Sequence, residues 1–442
     1  MRPGFTSSLF NFKSLYIVFV IAVLFYGPVR LLYGLTPRHV AIVVMLIACM
    51  RQGVPFPMGR IVKAYLVFIL SYLISATITG YIGSVLITYY VAACVGFWAT
   101  KILVVKYHYG KLLFNILVIT GVLDAIVTIG QTFGMLFSDQ LVSLFHVTLP
   151  EKYLDMMNEG VYEDQFLLLV RPGLFANLVY NGYFLMTAGV ISLSLLAHKF
   201  NIQRLIPWLV ILVGCICVQE RGPIVILTFL SALVFFKILI IKRNTYLLFI
   251  LVFGLLAYFL TGKIASMLPD QGMDSATHTT ISAFYEDNES SSYSQNDFLR
   301  LAKESRFANT GLDDPYRIYI YGQSIDYIMD HPFIGGLHRL NAMYDIYPHN
   351  LLLNAFIYGG IVGGVAILLI LFWQIKPLWR VLRNKIADTN TVCFFAGLAY
   401  LANTLNSLTH NISIVSGDEM IWMLWAAFYF EYRKFYQQDV RL

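Results

Sequence analysis

Apolar residues in this chain are gathered into long runs separated by polar connections. The runs lie at residues 15–34, 36–50, 61–79, 82–100, 112–133, 177–197, 204–219, 222–241, 245–262, 351–375, 390–409 and 417–432. Most are near the length that crosses the hydrocarbon layer when wound as an α-helix, so the pattern predicts an all-α polytopic membrane protein with about twelve transmembrane helices. The first run follows Arg2 and Lys13 without a small-residue cleavage site. It is therefore expected to be kept as a span and not removed as a signal peptide.

Two connections are long, at roughly 134–176 and 263–350. They divide the chain into a membrane bundle of helices 1–9 (residues 1–262), a large and partly helical loop between helices 9 and 10 (263–350), and helices 10–12 with a tail (351–442). Residues 284–310 are rich in Ser, Asn and charge, with few large apolar groups, and are expected to form a mobile flap. From Pro315 to Asp330 the spacing of Ile318, Tyr321, Ile325 and Ile328 is helical, with Asp314 and Pro315 as cap and first turn. This predicts an amphipathic helix lying on the bundle. His331-Pro332 should end it, Gly335-Gly336 should turn the chain, and Tyr347-Pro348 should be extended just ahead of His349-Asn350. No internal repeat is evident.

Composition agrees with this division: 58% of residues are hydrophobic and 13% charged. The net charge of +6 is spread over connections between spans and forms no single basic face, which excludes a nucleic-acid partner. Its distribution instead sets orientation. Alternate connections, from Arg2 and Lys13 to Arg433, Lys434 and Arg441, hold 20 of the 31 Lys and Arg residues. Both termini are accordingly expected in the cytoplasm and both long loops outside. The five cysteines lie within or beside apolar runs, as small buried hydrophobes do, and suggest neither a disulfide framework nor a zinc site.

The polar residues at the outer ends carry whatever chemistry the chain performs. Arg221 stands in the hairpin Gln219-Glu220-Arg221-Gly222-Pro223, where it either meets an anion, pairs with Glu220 or caps helix-end carbonyls. Arg171 precedes the sixth span in Arg171-Pro172-Gly173-Leu174-Phe175, as an anion ligand or as an interfacial residue that snorkels. Arg317 opens the amphipathic helix, facing either a ligand or solvent. Three guanidinium forks at one surface would suit a phosphate or pyrophosphate.

His349 has the proton affinity of a general base near neutral pH, with helix capping as the alternative. Asn350 follows it at a helix N-terminus, where developing negative charge is favoured. His331, His338 and His349 with Asp326, Asp330 or Asp345 lack the compact spacing of zinc motifs, so no metal is expected. His410 is a further polar residue on the same side. No Walker or dinucleotide fingerprint is present, so no nucleotide cofactor is expected and any driving force must reside in an activated substrate.

Four segments in matching order resemble the bacterial O-antigen ligase and polysaccharide polymerase family of GT-C-type membrane glycosyltransferases. Arg171-Pro-Gly-Leu-Phe175 with Asn177 is similar to the family's Arg-x-x-Gly-x-Phe-x-x-x-Asn entry to a span, with the Asn slightly displaced. Glu220-Arg221-Gly222 is similar to its Ser-Arg-Gly hairpin, with Glu for Ser. Arg317 followed by His331-Pro332-x-x-Gly335-Gly336 resembles Arg…His-Pro-x-x-Gly-x-Gly, the second glycine one place early, and Pro348-His349-Asn350 followed by Tyr358-Gly359 resembles the closing His-Asn…Gly motif.

The resemblance implies metal-independent, inverting transfer of a glycan from an undecaprenyl-pyrophosphate-linked oligosaccharide to a sugar hydroxyl at the periplasmic face. It implies His349 as the base, Arg221 and Arg317 on the pyrophosphate, Arg171 placing the carrier, and Asn177, Gly336 and Asn350 shaping the substrate site. A polymerase would join lipid-linked repeat units, beside a chain-length regulator and a flippase of the same pathway; a ligase would deliver the chain to lipid A-core. Departures from the family patterns favour the polymerase. A lipid-linked oligosaccharide flippase is the alternative from another class, and would call for mid-span charges and paired broken helices.

Overall fold

The computed structural model describes residues 3–25, 36–80, 84–132, 173–175, 178–198, 201–218, 221–242, 315–336, 348, 350–383, 391–408 and 413–436. The predicted ninth span, the flap at 284–310, Asp314, and Arg171, Asn177, His338, Asp345, His349 and His410 lie outside them. Twelve helices are present among the described residues: α1 (Pro3–Phe25), α2 (Pro37–Arg51), α3 (Arg60–Ile78), α4 (Ser84–Val105), α5 (Lys111–Thr132), α6 (Leu178–His198), α7 (Ile202–Val218), α8 (Arg221–Lys242), α9 (Pro315–Asp330), α10 (Leu351–Arg383), α11 (Thr391–Ser407) and α12 (Glu419–Tyr436). Four of these, from α3, α4, α5 and α10, are long and apolar enough to cross a membrane.

Two boundaries differ from expectation. The first helix begins at Pro3, ahead of the apolar run at 15–34. At the other end of the chain, α10 runs on to Arg383, past the apolar residues, its last turn carrying Arg380 and Arg383 where cations suit the helix dipole. It is also not one continuous helix. Gly360 has φ 59 and ψ −163, so two helical pieces meet at a break. The amphipathic helix α9 spans the expected residues, starts on Pro315 and stops before His331-Pro332.

Burial sorts the helices. Along α6, Asn181 to Ser194 are buried throughout, as is α12 from Met420 to Phe428, which makes these the central helices. Around α6 lie α5, α7, α8 and α11; α12 packs on α4 and α11, and α3 runs along α10. Small residues permit the closest approaches: a Cβ on Gly214 would fall 2.6 Å from that of Ala125, so α7 and α5 pass nearly backbone to backbone. Exposed apolar residues such as Leu70, Ile74 and Ile78 on α3 and Val362, Val365 and Phe372 on α10 face outward, as lipid-facing side chains do.

The long-range contacts group the connections into two sets. Lys101 Nζ donates to Pro55 O (2.8 Å), Lys106 Nζ to Gln52 O (2.8 Å) and Lys13 Nζ to Tyr109 Oη (3.0 Å), while the Arg60 guanidinium lies over the Trp373 ring. These residues belong to the Lys- and Arg-rich connections and their helix ends. The less basic set meets itself as well. Arg38 forms a buried ion pair with Glu419 and stacks on Tyr89, Tyr90 Oη donates to Val415 O (2.9 Å), and Asn350 Nδ2 donates to Leu408 O (3.1 Å). The bundle therefore has a basic end and an opposite end, and Asn350 lies at the opposite end.

Candidate functional site

At the opposite end two polar constructions hold the segments that carry the candidate residues. The first fixes the entry to α6. Gly173 adopts φ +58, a left-handed conformation natural to glycine, and its N–H donates to Gln131 Oε1 (3.0 Å). Leu174 N–H donates to Asp124 Oδ1 (2.7 Å), and Asn181 Nδ2 donates to Thr128 Oγ1 (3.0 Å). Phe175 stacks on Phe25 with ring centroids 4.8 Å apart. Gly173 and Leu174 are thus clamped by two buried polar side chains of α5, Gln131 and Asp124. Asp124 lies two turns inside α5 and its Oδ2 has no partner among the described residues.

Asp124→Ala is expected to leave Leu174 N–H unsatisfied and lower stability by about 1–3 kcal/mol, while Asp124→Asn keeps an acceptor and stays near the parent. Thermal melting in detergent checks this; equal melting of both variants would show that the clamp is dispensable.

The second construction joins α9 to α10. After His331-Pro332, the chain runs along the break in α10: Gly336 N–H donates to Ile357 O (2.8 Å) and Ile361 N–H donates to Pro332 O (2.8 Å). From α3, Ser75 Oγ accepts from Gly335 N–H (3.0 Å) and Ser71 Oγ donates to Gly359 O. The helix interruption would otherwise strand backbone groups inside the bundle, and the His-Pro-x-x-Gly-Gly segment and two serines answer them. Gly335 and Gly336 are needed because no side chain fits. A Cβ on Gly335 would lie 2.5 Å from Ile357 O, and one on Gly336 would overlap Tyr327 Oη.

This clasp places the end of α9 against α10 two turns beyond Asn350. Asn350 Oδ1 accepts from Leu352 N–H (2.9 Å) and Leu353 N–H (3.2 Å), so the capping task at α10 belongs to Asn350. With its Nδ2 on Leu408 O, both ends of that amide are engaged and Asn350 ties α10 to the end of α11.

Of the expected site residues, Gly336 and Asn350 are placed with their side-chain surroundings. Arg221 is the first residue of α8, and Arg317 is in the first turn of α9; their side chains lie outside the description, as do Arg171, Asn177 and His349 entirely. His331 is exposed and stacks on Tyr327 at 4.6 Å, its ring turned back on its own helix. Among the described residues, no three His, Cys, Asp or Glu side chains are grouped to hold a metal.

Sequence reading missed several groups that shape this end: Asp124 with Gln131 and Asn181, the serines of α3, and Asp418, which accepts from Tyr180 Oη (2.7 Å), Tyr183 Oη (3.0 Å) and Ile421 N–H (2.9 Å). Asp124 was visible as a carboxylate inside an apolar run. The break in α10 and this buried acid are features a transporter would use, yet the backbone groups at the break are taken up by the clasp.

The chain is an all-helical membrane protein whose polar constructions gather at one end of its bundle. Residues 206–368, somewhat over a third of the chain, match the family described as O-antigen ligase, and this segment is similar to the O-antigen ligase and polymerase family. No curated protein matches the chain.

Proposed function

We propose that the chain is a membrane glycosyltransferase that joins undecaprenyl-pyrophosphate-linked oligosaccharide repeat units at the periplasmic face of the bacterial inner membrane. The observation that carries this reading is the family match over 206–368, which encloses Arg221, Arg317, Gly336, His349 and Asn350 together. In the reaction, the imidazole of His349 takes the proton of an acceptor sugar hydroxyl as its oxygen bonds to the donor's anomeric carbon. The bond from that carbon to the pyrophosphate oxygen breaks, its electron pair leaving with the pyrophosphate. Arg221 and Arg317 hold that oxyanion through charge-assisted hydrogen bonds, and Arg171 places the carrier. Attack opposite the leaving group gives inversion, and the reaction uses neither metal nor cofactor.

The local structure supports this assignment in one respect. Arg221 and Arg317 each sit in the first turn of a helix, and Asn350 caps a third. Helix N-termini favour anions, so these positions add backbone dipoles to the guanidinium charges.

The family's description as O-antigen ligase favours a second reading, in which the same donor chemistry delivers a finished chain to lipid A-core. Comparing lipid-linked glycans in cells lacking the gene separates the two. Loss of a polymerase is expected to leave single lipid-linked repeat units and no long chains; loss of a ligase should accumulate long lipid-linked chains. Normal long chains both on the carrier and on the final acceptor would sink both readings.

A further inference from the structure

On the outward side of the bundle, α3 and α10 leave between them an open groove of about 590 Å3. Its walls are Val67, Val362, Val365, Leu369 and Trp373, and at the basic end it closes on Arg60 and Lys63. Both helices are long and apolar enough to cross a membrane, so the groove faces the acyl chains. From Ile361 to Trp373 it extends about 18 Å at 1.5 Å per residue, near the roughly 15 Å depth of one leaflet.

The charged end distinguishes this groove from ordinary lipid-facing surface. Arg60 is the first residue of α3, Lys63 lies one turn on, and both are exposed. The N-cap Gly59 makes no side-chain hydrogen bond and the first turn contains no acidic residue, so the free N–H groups of the helix start remain beside two cations. Cations at a helix N-terminus run against its dipole, and neither residue pairs with a carboxylate among the described residues. Trp373 lies beneath the Arg60 guanidinium at 5.1 Å and holds it over the mouth of the groove. Three sources of positive potential thus converge where an apolar channel of acyl length begins.

We infer that this groove binds one anionic phospholipid, its phosphate on Arg60, Lys63 and the start of α3, and one acyl chain along Val67, Val362, Val365 and Leu369. The site lies at the basic end, whereas the pyrophosphate residues proposed above stand at the opposite end. Its occupant is therefore a bilayer lipid of the leaflet at the basic end, the cytoplasmic one by the Lys and Arg distribution. Ile361, the first residue after the break, forms its far limit, so the bound chain braces the lower half of α10 against α3.

The test uses the delipidated full chain in detergent, titrated separately with palmitoyl-oleoyl phosphatidylglycerol, with the matching phosphatidylcholine and with inorganic phosphate. Native mass spectrometry and thermal melting follow the binding. One phosphatidylglycerol should bind saturably and raise the melting temperature, with little response to phosphatidylcholine or phosphate. The double variant Arg60→Ala, Lys63→Ala should bind phosphatidylglycerol about 25-fold more weakly, at about fivefold for each basic residue. Val365→Trp, which fills the groove and leaves both cations, should also weaken binding. Equal affinity for phosphatidylcholine, parent-like binding by the double variant, or a phosphate response matching the lipid's would each overturn the site. None of these outcomes depends on glycan transfer, so failure here and failure of the transferase reading are separable.

Discussion

Replacing His349 with Ala in a chain that inserts and accumulates like the parent is expected to lower glycan transfer by about a hundredfold or more, the usual contribution of a positioned base. On a gel of the surface polysaccharide this reads as loss of the ladder. The expectation rests on division of labour around Pro348-His349-Asn350. Asn350 caps α10 through Leu352 and Leu353 N–H and anchors the segment to Leu408 O. A histidine beside a cap already supplied is free of that structural duty, so its loss should remove chemistry and leave the melting temperature unchanged. Arg221→Lys is the companion variant: it keeps the charge and loses the planar fork, and transfer should fall more than lipid binding does. A parent-like ladder from His349→Ala would remove the base assignment.

The largest structural effect is expected at the clasp. Gly360 holds φ 59, and a Cβ there would lie 2.5 Å from Phe333 O, a backbone atom that a rotamer change cannot move. Gly360→Ala combines a left-handed backbone cost of about 1–2 kcal/mol with overpacking of about 1–3 kcal/mol. Gly335→Ala meets the carbonyls of Ile357 and Tyr358 in the same way. Both variants should melt several degrees lower in detergent and lose transfer, because the end of α9 is no longer held to α10 near Asn350. Ser75→Ala removes only the acceptor for Gly335 N–H and should cost about 1–3 kcal/mol. If Gly360→Ala melts like the parent, the break is not maintained by these contacts.

The sequence by itself determined the helical class, the positions of most described helices, the division of connections into a basic set and a less basic one, and the amphipathic helix ending at His331-Pro332. These are local or additive properties: run length, periodicity, proline and charge bias are written in neighbouring residues. It also brought the family resemblance into view from four short motifs.

Only the tertiary structure decided that Gly335 and Gly336 serve a break in another helix, that Ser71 and Ser75 of α3 complete it, and that Asp124 clamps the residues after Arg171. The partners of Asp124, Ser71 and Ser75 lie between 50 and 288 positions away in sequence, and a polar residue in an apolar run does not say which distant backbone group it satisfies. Pairing of that kind is fixed when helices pack and every buried N–H and C=O must find an answer inside the bundle.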